Sequence, residues 1–152
     1  MAQEDFVEGP GTGYNPDAWD GYKESRRRVL SGIQRAKARN PVVLTGDVHQ
    51  HYAADLKVDF TDPAAPIVAS ELVGTSVSSG GDGNDAVRSA ALRENPWILY
   101  NANRRGYVRI DVNAAELRAD MRILPYVSRP GAPSTTGAAF VLEDGRPGLQ
   151  RA

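Results

Sequence analysis

The stretch that most constrains this chain is Val42-Val43-Leu44-Thr45-Gly46-Asp47-Val48-His49-Gln50-His51. Its apolar opening is rich in β-branched residues, follows Asn40-Pro41 and stops at a glycine, the pattern of a strand buried on both faces. In an α/β sheet the carboxyl end of such a strand is where ligands are held. Asp47 and His49 stand two apart, so an extended backbone sends both side chains from the same side. A carboxylate oxygen and an imidazole nitrogen converging there suit a divalent or trivalent metal ion. The same residues admit a plainer reading. Gly-Asp after a strand is ordinary turn chemistry, and metal sites normally draw on three or four protein ligands.

Upstream, residues 1–18 are acidic, contain glycine and proline, and show no periodicity, so they read as an irregular lead-in. Asp17 or Asp20 can cap a helix running to about Arg39, with Tyr22, Val29, Leu30 and Ile33 on its apolar face. Arg26-Arg27-Arg28 sit in it at consecutive positions that point in different directions, which suits a solvated face better than a phosphate site. Asn40-Pro41 ends the helix.

Downstream, Tyr52, Ala54, Leu56 and Val58 alternate with Ala53, Asp55, Lys57 and Asp59, the pattern of a half-buried strand. Ile67 to Val73 reads as another strand, and a small-residue loop, residues 74–81, follows it. Such a loop can present backbone N–H groups to an anion or simply connect two elements. It has no lysine after its glycines, so it is no P-loop. Asp85 to about Asn95 suggests a short helix, and Ile98-Leu99-Tyr100 leads on to a hairpin of Tyr107–Val112 with Glu116–Leu124. One more strand is expected over Ala138–Leu142 in a tail rich in proline and glycine. With only about five apolar segments, the chain reads as half of a mixed α/β sandwich whose strands need a partner layer.

The 152 residues make one ordinary domain, 41% apolar and 24% charged, enough for a core. A net charge of −1 argues against nucleic-acid binding by bulk electrostatics, and no run reaches the roughly 18 apolar residues of a membrane span. Met1 to Asp5 offers neither the basic residues nor the apolar core of an export signal. Without cysteine, disulfides and thiolate metal sites are excluded within these residues.

Several blocks together resemble one family. Gly46-Asp47-Val48-His49 after the strand, Asp17-Ala18-Trp19-Asp20-Gly21-Tyr22 before the basic helix, Glu71 to Ser79, and Asn103-Arg104-Arg105-Gly106-Tyr107-Val108-Arg109 look like the PhoD-type alkaline phosphatases, in that order and spacing. The resemblance covers about residues 1–145, expected as a partial phosphatase domain with 146–152 as a flexible tail. It implies the C-terminal half of a two-sheet α/β metallophosphoesterase sandwich, a mixed sheet with a long N-terminal helix. It also implies hydrolysis of phosphate mono- or diesters with iron and calcium, and export in many bacteria.

Carried over by motif, Asp47 and His49 are metal ligands, while His51 falls where the family varies. Arg104 and Arg105 either border the phosphate site or serve the strand pair. Glu71 or Asp55 is the candidate carboxylate to orient the histidine. The family's other metal-ligating motifs have no counterpart in residues 1–46. The chain is therefore expected to be a fragment with weak or no activity alone, completed by an N-terminal half. A non-catalytic accessory domain that keeps part of the fold is the other reading.

Overall fold

The computed structural model describes residues 19, 21–86, 92, 93 and 95–152. Asp17, Asp20, the lead-in and most of the expected helix over 85–95 lie outside the described residues. One long helix, α1 (Lys23–Ala36), is followed by β1 (Val42–Thr45), β2 (His51–Lys57), β3 (Ile67–Val73) and β4 (Ile98–Ala102). Then come β5 (Arg105–Val112), β6 (Glu116–Leu124), β7 (Thr135–Glu143) and β8 (Gln150–Arg151). Among the described residues the strands form two sheets of four, ordered β1-β3-β2-β4 and β5-β6-β7-β8. Only β1 and β3 are parallel; every other described pair is antiparallel.

Both layers of the sandwich come from this one chain, because the hairpin and the strands after it supply the second sheet. Ala53 and Leu72 of the first sheet pack against Ala119, Met121, Ala138, Phe140 and Leu142 of the second. Tyr100 meets Phe140 with ring centroids 6.2 Å apart. Each large apolar side chain buried here contributes about 1.5–3 kcal/mol. On the outer face of the first sheet, Leu30 of α1 packs with Leu56, Phe60 and Ala69.

The structure departs from the sequence pattern in four places. β1 is an edge strand, and Leu44, expected inside, is 61% exposed. β2 is central and covered on both faces, so His51 to Leu56 are all buried despite their polar–apolar alternation. Arg26 is 3% exposed and lies 5.1 Å over the Phe60 ring, whereas Tyr22 and Val29 face solvent. The helix ends at Ala36, where Lys37 adopts the left-handed conformation and its N–H returns to Gln34, three residues before the expected stop.

The last residues are no free tail. Leu149 is buried, and β8 pairs with β7. Asp55, inside the sandwich, fastens them: its Oδ1 accepts the Leu149 N–H at 2.9 Å and the Ser70 hydroxyl at 3.2 Å. Burial raises the Asp55 carboxyl above its usual range, against the lowering effect of those two bonds and of Lys57. Asp55→Ala is expected to strand both donors, at about 1–3 kcal/mol each. Asp55→Asn keeps the acceptor oxygen and is expected to stay close to the parent. Urea unfolding, with hydrogen exchange at the Leu149 amide, checks the contrast.

Candidate functional site

The parallel pairing of β1 with β3 brings the carboxyl ends of both strands to one edge of the first sheet. Two loops leave that edge, residues 46–50 after β1 and 74–81 after β3. They touch at their roots, where the Gly74 N–H donates to the Thr45 carbonyl at 2.8 Å. β2 lies beyond β3, so the first loop must cross the end of β3 and reverse direction within five residues. Two strand spacings amount to about 9–10 Å.

That crossing dictates the backbone. Asp47 and His49 both have positive φ, 74° and 53°, and the strand stops at Thr45. The extended geometry that would send the two side chains out together therefore does not hold. Left-handed conformation costs a non-glycine residue about 1–2 kcal/mol, and Asp tolerates it better than most. Asp47 and His49 are both exposed on this turn.

The neighbours of His49 come from the second loop and from β5. Its Nε2 lies 3.3 Å from the Ser79 hydroxyl. A Cβ built on Gly80, whose φ is +73°, would stand 3.1 Å from the imidazole Nδ1. The two carboxylates foreseen as orienting the ring have partners elsewhere. Asp55 serves the C-terminal strand, and Glu71 accepts the Thr45 hydroxyl at 3.0 Å. Among the described residues, no group of three or more His, Cys, Asp or Glu side chains converges as a metal site.

Arg104 and Arg105 are both engaged within the protein. Arg104 pairs with Asp85, and this contact holds the Asp85 carboxyl below its usual range. Arg105, on β5, is 5% exposed and turns inward. Its Nε donates to the carbonyls of Ser79 and Gly81 at 3.1 and 2.8 Å. Its Nη1 donates to the His49 carbonyl at 2.6 Å, and its Nη2 to the Gly80 carbonyl at 2.6 Å. The sequence offered two adjacent arginines and no means of telling their roles apart.

Sequence reasoning also passed over the loop after β6. Asp82 accepts the N–H groups of Val127 and Ser128 at 2.7 and 2.8 Å, together with the Ser128 hydroxyl. These bonds hold its carboxyl below the ordinary range. They fasten residues 127–128 beside the 74–81 loop, where Val77, Tyr126 and Arg129 line an open cleft of about 400 Å³. The Arg129 guanidinium lies 4.6 Å from the centre of the Tyr126 ring. Asp-Gly pairs signal a turn but not what the carboxylate will hold.

Two stacked sheets, a helix on the outer face, and an acid and a histidine just beyond a strand's carboxyl end form part of an α/β metallophosphoesterase sandwich. The chain belongs to the PhoD-like phosphatase family, whose model matches residues 1–121. It is 44% identical over 140 residues to alkaline phosphatase D of Bacillus subtilis (strain 168), across 91% of this chain and 24% of that protein. The solved structure of PhoD superposes with a TM-score of 0.83 at 43% identity, covering 90% of this chain and 26% of that one. The chain thus spans about a quarter of the length of these relatives.

His51, the one other histidine, is wholly enclosed. Its Nε2 lies 3.1 Å from the Arg122 carbonyl, and its Nδ1 has no hydrogen-bond partner among the described residues. Burial lowers its pKa, outweighing the opposing pull of backbone groups at Arg122 and Val73. The folded protein therefore resists protonating His51, while the unfolded chain protonates it near pH 6.5. This stability is present above that pH and is lost as pH falls through the depressed folded pKa. Thermal melts at pH 7.5 and 5.5 are expected to differ more for the parent than for His51→Gln.

Proposed function

We propose that this chain supplies one wall of a metal-dependent phosphate-ester hydrolase, with Asp47 and His49 as ligands to the metal. The observation that carries the reading is the Gly46-Asp47-Val48-His49 turn, exposed where two parallel strands end, in a chain of a phosphatase family. Asp47 offers a hard oxygen donor that suits iron or calcium, and His49 a borderline nitrogen that suits iron. Two donors are fewer than the three or four protein ligands usual for a resident metal, so residues outside this pair complete the set.

A bound metal would polarise the phosphoryl group and lower the pKa of a coordinated water. The chain's own contribution is positional. Asp47 and His49 stand on a short turn tied to the second loop at its root and to Arg105 at the His49 carbonyl, which sets where donor atoms stand relative to the sheet edge. Ser79 lies within reach of the histidine nitrogen and can fix the ring's tautomer by donating to it or accepting from it. The contacts of Arg104 and Arg105 support a role in holding the loops rather than in touching the ester. The substrate class is a phosphate mono- or diester.

The partner this reading requires is the N-terminal half of the same domain. Leu44 on β1 and Val112 on β5 are 61% and 70% exposed. Each shares a strand face with residues that pack into the inter-sheet core, Val42 in one case and Val108 with Ile110 in the other. Both belong to edge strands, β1 and β5. Core-side apolar residues left open at edges are where further polypeptide docks. Leu44→Lys with Val112→Lys is expected to reduce self-association of the isolated chain in sedimentation velocity while leaving its melt cooperative.

Hydrolysis of p-nitrophenyl phosphate at alkaline pH tests the activity. The chain alone is expected to give little turnover. The same chain joined to the preceding segment of the Bacillus subtilis relative is expected to give turnover that His49→Ala lowers at least about 100-fold, beyond the 10–100-fold typical of outer-shell partners. Full turnover in the completed protein with His49→Ala would sink the reading in favour of a non-catalytic remnant.

A further inference from the structure

A buried guanidinium is normally matched by a carboxylate, because an unmatched charge loses its hydration without return. Among the described residues no carboxylate pairs with Arg105. Its fork is spent on four backbone carbonyls, three of them consecutive in the second loop, Ser79, Gly80 and Gly81, and the fourth that of His49. Guanidinium has five donors in a fixed plane, and few other groups could engage four divergent oxygens at once. Three of the four residues it gathers, His49, Gly80 and Gly81, have positive φ. A strained turn persists when its surroundings over-determine it, and such turns cluster at functional sites.

We propose that Arg105 is the positioning residue of the His49 turn: from β5, in the opposite sheet, it clamps the His49 carbonyl to the Ser79–Gly81 loop and so sets the direction in which the imidazole presents its nitrogens. The assignment rests on the reading of His49 as a metal ligand, but its physical content is separable from that reading. The clamp joins both sheets, since His49 follows a strand of the first and Arg105 belongs to the second. Gly80 completes it from the other side. A methyl group there would lie 3.0 Å from Arg105 Nη2 and 3.1 Å from His49 Nδ1, so a side chain at this position would press on both, in addition to the strain of a φ of +73°. Lysine at position 105 keeps the charge but carries three donors on one atom, and cannot span four carbonyls.

The chain's two histidines make the test direct. Imidazole nitrogen–proton correlation spectra of the 152-residue chain resolve His49 from His51 without any metal. In Arg105→Lys and in Gly80→Ala, the His49 ring signals are expected to move towards the tautomer mixture of a solvated histidine, while those of His51 stay in place. Manganese titration, read from paramagnetic broadening at His49, is expected to need roughly tenfold more metal in both variants, a loss in the range found for residues that orient ligands. If Arg105→Lys fails to fold, Gly80→Ala, which lies on an exposed loop, decides alone. Unchanged ring signals and unchanged manganese dependence in a folded variant overturn the positioning role and leave the metal reading standing. Should manganese not broaden His49 in the parent chain, whose two donors fall short of a full ligand set, the ring signals alone decide the clamp, and the metal reading is judged by the turnover of the completed protein.

Discussion

The parallel pairing of Val42–Thr45 with Ser70–Val73 is the constraint from which the site follows. Because β3 lies between β1 and β2, the chain leaving β1 has to pass over the end of β3 before it can run back. With five residues for that passage, the turn cannot stay extended, and the positive φ values of Asp47 and His49 are its consequence. The same passage presses the turn against the loop leaving β3, so that residues thirty apart in sequence, His49 and Ser79, become neighbours.

The second sheet does more than bury the first. Its edge strand sends Arg105 back across the sandwich into the space between the two loops, and its β6–β7 connection is held to the same region through Asp82. Each of these attachments is a charged group on backbone polar atoms, and a bond of this kind from the enclosed Arg105 contributes about 1.5–3 kcal/mol. The exposed turn is thereby anchored from below, while its outward face keeps the acid and the imidazole accessible. A loop built this way can be both solvent-facing and well defined. Loops that carry function on a rigid scaffold need that combination.

Legibility in the sequence varied with how local the determining physics was. The β3 strand and the hairpin of β5 and β6 could be read because their patterns are set by neighbours a few residues away. Asn113, for example, uses its own side chain to accept the N–H groups of Ala115 and Glu116. β2 misled because its alternation of polar and apolar residues implies one wet face, whereas a sheet covers one side and other packed side chains cover the other. Arg26 misled for a similar reason. A guanidinium can lie flat on an aromatic ring, and nothing near it in sequence announces Phe60.

What the sequence determined by itself was the inventory: strand-forming runs, a glycine at which β1 could end, an acid and a histidine directly after it, and motif blocks whose order marks the phosphatase family. Those features depend on local propensity and on residue chemistry, which are written along the chain. Only the tertiary structure decided that β1 sits at an edge with Leu44 open, that Asp55 fastens the C-terminus, and that one of two adjacent arginines turns inward to His49. Those outcomes depend on which segments meet across the sandwich, and a side chain's burial and partners are properties of that meeting rather than of the residue.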